Sequence, residues 1–166
     1  MKVPFQLAVA SVDNLGTTDF YLNVGGKILY YTPGVQNNAY MKGLNVIGGL
    51  DRTYVLIDGV GTPEQAAAAA AAIENPGEAV MVCYRGEISF FEKANNAASA
   101  GFAGCIIANN IEGTINMDMT DYVGTGPCVS VSMADGIYLK SAAQENERAA
   151  VCTVGDEPFA VAYAQA

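Results

Sequence analysis

One stretch limits the possible folds more than any other. Residues 78–110 read EAVMVCYRGEISFFEKANNAASAGFAGCIIANN. Ala79–Tyr84 is a short, Val-containing apolar run, the pattern of a strand buried on both faces. Arg85-Gly86 breaks it. Ser89 then stands where a helix N-cap belongs and Glu92 follows three residues later. Together they form a capping box, in which the hydroxyl takes an orphan backbone N–H and the carboxylate reaches back to the cap. Phe90, Ala94, Ala97 and Gly101 fall on one helical face, while Glu92, Lys93, Asn95, Asn96 and Ser99 cover the other. Gly101 suits a left-handed stop, and residues 102–109 form a second apolar strand. Strand, helix and strand at this spacing predict a βαβ unit with parallel strands and a right-handed crossover.

The rest of the chain supplies further strands and two more helices. Residues 4–13 and 53–58 are strand-like. Residues 20–24 and 27–31 flank Gly25-Gly26, a pair able to take the positive φ angles of a type I′ hairpin turn. Residues 34–52 are polar and rich in Gly and Asn, which reads as a loop with short strand pieces. Thr62, Pro63 and Gln65 make a second capping box with proline at the first helical position. An alanine run, 66–72, continues this helix. Its small side chains suit either close packing on a sheet or a weakly buried surface helix, and Asn75-Pro76-Gly77 stops it. Residues 127–132 form a strand, after which Ser132 caps a helix with Asp135 three positions on. In that helix Gly136, Leu139, Ala142 and Ala143 share one face, and Gly136 lets it approach the sheet closely. Residues 149–154 and 159–164 read as strands joined by a polar turn.

Composition narrows the function. The 166 residues suit one domain with a real core. Net charge is −9, which repels nucleic acid and anionic membrane surfaces alike. No stretch reaches the ~20 apolar residues that span a bilayer, and residues 1–4 do not open a signal peptide. There is no histidine, so neither a Ser-His-Asp triad nor a His-containing zinc site can be built from these residues. Without an imidazole, an acid–base pair would need carboxylates or lysine, and no spacing brings such a pair together. No cofactor or metal is expected. Cys83, Cys105, Cys128 and Cys152 each lie in an apolar run. They read as buried small hydrophobes, or as partners in a disulfide, with Cys83 and Cys105 at similar depth in strands that are candidate neighbours.

The segment VMVCYRGEISFFEKANNAASAGFAGCIIANN resembles the core of the protease-associated (PA) domain. The form it resembles is the one inserted in subtilisin-like proteases of bacterial surfaces. The likeness is carried by the strand ending in Arg-Gly, the Phe opening the helix, Lys93 and Ala94, the Ala-Gly-Phe-Ala-Gly turn and the strand ending in Asn-Asn. PCVSVSMADGIYLKSA is similar to the family's closing strand and helix, so the resemblance spans 58–143. LAVASVDN, near the start, is similar to the segment leading into the inserted domain.

The resemblance implies a mixed, β-rich α/β chain with the swivelling β/β/α architecture, a small β-sandwich or open barrel flanked by helices. It implies a single domain over 1–166, with 1–31 either its own or shared with a parent catalytic domain. It further implies a non-catalytic role in selecting protein or peptide substrates, or in controlling access to the active site, of an extracellular, secreted or cell-wall subtilisin-like serine protease. An architectural or protein-interaction domain of a bacterial surface protein is the alternative.

Five residues are candidates for binding. Arg85 ends a core strand beside a glycine turn, where α/β folds place ligands. Its guanidinium could hold a carboxylate or a peptide carbonyl, or it could pair internally with Glu87 or loop carbonyls. The irregular stretch 111–126 carries Met117, Met119 and Tyr122, read either as adaptable contact groups or as packing beneath the loop. Its acids Glu112, Asp118 and Asp121 suggest solvated carboxylates before a calcium site, since their spacing matches no calcium loop.

Overall fold

A computed structural model describes residues 21–47, 52–145 and 150–155. The strand expectations for 4–13 and 159–164 lie outside the described residues. The chain opens with a hairpin of β1 (Tyr21–Val24) and β2 (Lys27–Tyr30), joined by Gly25 and Gly26 at φ 61° and 88°. Two positive φ values are what a type I′ turn requires. A short β3 (Thr32–Pro33) follows. Next comes a second small hairpin of β4 (Val35–Gln36) and β5 (Ala39–Tyr40), turned by Asn37 and Asn38 at φ 56° and 61°. Asparagine tolerates that left-handed region, so the pair does the work of a Gly-Gly turn.

Four parallel strands make the centre: β6 (Arg52–Leu56), β7 (Ala79–Tyr84), β8 (Gly104–Ala108) and β9 (Cys128–Val131). Helices α1 (Pro63–Ala71) and α2 (Phe90–Ala100) fill the first two crossovers, and α3 (Met133–Glu145) follows β9. The last described strand, β10 (Ala150–Gly155), inserts between β1 and β6 and is antiparallel to both. The sheet therefore runs β2-β1-β10-β6-β7-β8-β9-β3. Its edge strands, β2 and β3, are separated in sequence by Tyr31 alone. A sheet whose two ends are consecutive in the chain must curl round to meet itself, which makes it an open barrel.

Two apolar clusters lie on its two faces. One gathers Leu22, Leu29, Tyr54, Val80, Ile106 and Val129 with Leu139 and Ala142 of α3. Gly136 lets α3 settle there, because a Cβ on it would stand 2.6 Å from that of Ala108. The other lies under α1, α2 and the 109–127 connection, and gathers Met81, Cys83, Ala94, Ala97, Cys105 and Cys128. Alternate residues of β7 and β8 serve opposite clusters, so both strands are buried on both faces.

The capping boxes form as the spacing predicts. Thr62 Oγ1 accepts from Gln65 N at 3.2 Å, and Ser89 Oγ accepts from Glu92 N at 3.3 Å. Gly101 closes α2 at φ 97°. The alanine helix is largely a surface helix, with Ala66 buried and its other alanines exposed or half-buried. Lys93 departs from expectation. It sits on the expected outer face of α2, yet it is fully buried.

Candidate functional site

The carboxyl ends of β6 and β7 carry two turns, and α2 holds both. Lys93 Nζ donates to Val60 O and to Gly86 O, each at 2.7 Å. Asn96 Nδ2 donates to Gly61 O at 2.8 Å. A buried ammonium needs such partners, and the two carbonyls explain why this side chain turns inward. Burial pushes its amine below the usual lysine range, with the nearby Cys83 and Cys105 acting the other way.

Beyond this clamp, residues 85–91 and Asp118 line an open cavity of about 390 Å³. Its geometry comes from backbone in the left-handed region, with Gly86 at φ 131° and Glu87 at φ 62°. A non-glycine residue there is uncommon and marks a turn held by its surroundings. Arg85 N bonds Ala108 O at 2.9 Å, which fixes the turn to β8. The Arg85 guanidinium donates to Asn109 Oδ1 at 3.1 Å and lies 5.9 Å from the centre of the Phe90 ring. No ion pair with Glu87 forms; the one salt bridge among the described residues joins Lys140 to Asp58 at 3.5 Å. The partner is a neutral amide that takes one of the guanidinium's five N–H donors. Asp118 faces the same cavity, its carboxyl held below the usual range by hydrogen bonds from the Thr120 hydroxyl and backbone N–H.

The structure thus brings Arg85, Glu87 and Asp118 around an apolar floor of Phe90 and Phe91. It separates Met117, Met119 and Tyr122 from them as contact groups, because all three are buried in the helix-side cluster. Of the two readings of these residues, packing beneath the loop is what forms. The loop crosses over the sheet in place of a third helix, and apolar side chains must cover β8 and β9 there. Tyr122 also braces the loop, with its hydroxyl donating to Gly126 O at 2.8 Å and its pKa pushed up to about 12, chiefly by burial.

Cys83, Cys105 and Cys128 are free and buried. Cys105 and Cys128 are register partners in β8 and β9. The Cys83 thiol is pushed up first by its hydrogen bond with Cys105 and then by burial. That with Cys128 pushes up the Cys105 thiol. Such protonated thiols are poor nucleophiles and act as small hydrophobes. Among the described residues no group of three Cys, Asp or Glu is placed to hold a metal ion.

The curled sheet, the two capped helices on one face and the third helix on the other define a class of fold. That class now has a family. The model of the PA domain matches residues 52–139, more than half of the chain, and the chain belongs to that family. Over 68 residues it is 37% identical to the minor extracellular protease Vpr of Bacillus subtilis (strain 168), a match that covers 41% of this chain and 8% of that protein. Among solved structures, an aminopeptidase from Aneurinibacillus sp. strain AM-1 superposes with a TM-score of 0.62 at 22% identity, over 82% of this chain and 30% of that one. A zinc aminopeptidase from Bacillus subtilis gives 0.61 at 20%, over 87% and 31%. The subtilisin-like protease Apa1 from the Antarctic psychrotroph Pseudoalteromonas sp. AS-11 gives 0.53 at 18%, over 83% and 33%. These structures share the fold, and it occurs in aminopeptidases as well as in the subtilisin-like protease expected from sequence. The chain spans less than a tenth of the length of the curated relative it matches.

Proposed function

We propose that this PA domain is a non-catalytic part of an exported subtilisin-like serine protease, where it helps to select protein substrates or controls their access to the active site. In this reading residues 1–166 form one unit, and the catalytic triad belongs to a parent domain of the same polypeptide. The observation that carries it is the 37% identity with Vpr, described as an extracellular protease. The topology agrees with a domain set into a host. Tyr21 of β1 and Gly155 of β10 are register partners, so the outermost described residues of these two strands lie side by side. Two strands that begin and end side by side can be added to a host loop with little disturbance.

The Arg85 cavity is the proposed substrate contact. A guanidinium with free donors, two carboxylates and an aromatic floor suit an extended polypeptide, which offers carbonyls, N–H groups and side chains together. Such contact lies away from the scissile bond. Its binding energy favours long substrates and leaves short ones unaffected. The test uses the full-length gene product and a variant with 21–155 replaced by a short linker. Cleavage of a folded protein should fall by about tenfold or more in kcat/KM, the scale of a lost binding hot spot. Cleavage of a short chromogenic peptide should hold. Equal loss on both substrates, or no loss on either, overturns the reading.

A further inference from the structure

Lys93 is the one buried charged residue among those described, and the function above does not use it. Its ammonium makes two hydrogen bonds, to Gly86 O and Val60 O, and no ion pair with a carboxylate among the described residues. Burying an ammonium without a counter-ion is costly, and an apolar side chain of the same shape would suit the core better. What the lysine supplies is a donor delivered from within the fold to one particular carbonyl.

That carbonyl belongs to a strained turn. Gly86 O also accepts from Ile88 N at 2.7 Å, which closes a three-residue turn around Glu87. Gly86 and Ile88 meet as an isolated antiparallel bridge, and Glu87 between them stands at φ 62°. A γ-turn with positive φ at its centre is the rare, strained form, and it persists only where its surroundings hold it. Arg85 N bonds Ala108 O and Asn110 Nδ2 bonds Arg85 O, but both fix the residue before the turn. At the turn itself the hold is Lys93. Gly86, Glu87 and Ile88 all line the cavity, so the carbonyl that Lys93 grips is part of its wall.

We propose that Lys93 is the positioning residue of the Arg85 site: its buried ammonium holds the strained turn at Glu87, and with it the cavity wall, in the shape that grips substrate. The proposal rests on the reading of this cavity as the substrate contact. One face of α2 carries the whole device. Lys93 and Asn96, three residues apart, reach Gly86 O in one turn and Val60 O and Gly61 O in the other. The 57–62 turn lines no part of the cavity, yet it shares the bond network that shapes it.

The test uses the full-length gene product and its cleavage of casein and of a short chromogenic peptide. In Lys93→Ala the KM for casein should rise by about tenfold, the scale of a lost binding contact, while kcat and cleavage of the short peptide hold. Propylammonium, which replaces the missing ammonium and its N–H donors, should restore most of the lost KM. Tetramethylammonium, which has no N–H to donate, should not. Val129→Ala, in the cluster on the opposite face, lowers the melting temperature without touching the turn and should leave the casein KM at the parent value. Where Lys93→Ala fails to fold, Lys93→Met keeps the bulk of the stem and carries the KM comparison. An unchanged casein KM in a folded Lys93 variant, an equal rise in Val129→Ala, or propylammonium doing no better than tetramethylammonium each overturns the proposal. The two readings fail separately. If removal of 21–155 leaves the preference for long substrates intact, the proposed function falls. If removal abolishes that preference and the Lys93 variants keep the parent KM, only the positioning role falls.

Discussion

Two turns at the same end of the sheet are built from the same parts and end differently. After β6, residues 57–62 lead to Thr62 and α1. After β7, residues 85–89 lead to Ser89 and α2. Both have a capping box and left-handed glycines, Gly61 at φ 84° and Gly86 at φ 131°. The first turn is closed. Gln65 Oε1 accepts from both Gly61 N and Thr62 N at 2.9 and 3.1 Å, and its amide fills the space beside Gly59. The second is open, since Glu92 serves the cap and Arg85 reaches outward to Asn109 over a cavity. The capping residues differ in reach: Gln65 also takes the Gly61 N–H and seals its turn, while Glu92 bonds Ser89 alone and leaves the Arg85 turn open. Availability, and not the presence of a cap, separates a candidate site from a structural turn.

The sharpest way to break this comparison is to cut what the turns share. Lys93→Met keeps most of the volume and removes both bonds to the turn carbonyls. Leaving the two carbonyls unpartnered should cost about 2–3 kcal/mol, read by denaturant unfolding. Hydrogen exchange should rise at both turns together. A rise in one alone would mean that the clamp does not couple them.

Alkali attacks the same region from below. Cys83 lies under the closed turn, its Sγ 3.0 Å from where a Cβ on Gly61 would stand. Cys83 and Cys105 are both raised above 9.0 in the fold. The unfolded chain therefore gives up these protons first. Stability is intact below pH 9 and falls as pH climbs from there toward the folded values. Cys83→Ala should flatten that decline in a melting-temperature series; an unchanged slope would place its source elsewhere.

Gln65→Ala should cost about 1–2 kcal/mol, because two N–H donors of the closed turn lose their acceptor. Ser89→Ala in the open turn should cost about 1 kcal/mol through the lost cap alone. If the second exceeds the first, the closed turn is not sealed by its glutamine.

Much of this was legible in the sequence. Ala79–Tyr84, both capping boxes, the Gly25-Gly26 turn and the Gly101 stop are written locally, in apolar runs and in residues with special φ angles, and they form as read. Strand order was not. β10 slips between β1 and β6 through pairings with residues about 100 or more positions away, and no local pattern encodes that. The candidate site was half legible. Arg85 and Glu87 stand at the cavity, while Phe91 and Asp118 went unnoticed as its lining. No local signal marked Glu87 for the left-handed region, since glutamate is not among the residue types enriched there. Lys93 was assigned outward by helical periodicity alone, which ignores two carbonyls contributed by other loops.

Arg85→Ala is the smallest expected effect on stability and the most informative of the series. The guanidinium is half-exposed and donates to one neutral amide. Asn109 would still donate to Gly113 O at 2.9 Å, and Asn110 would still donate to the Arg85 backbone carbonyl at 3.1 Å. The turn thus survives without the side chain, and the loss should stay within about 0.5 kcal/mol, as at other surface positions. In the full-length protein the same change should lower cleavage of long substrates and spare short peptides, because a group that contributes little to its own fold is left to act on something else. A loss of 2 kcal/mol or so, the scale of a broken buried network, would make Arg85 a brace like Gln65. The two turns would then differ in shape only.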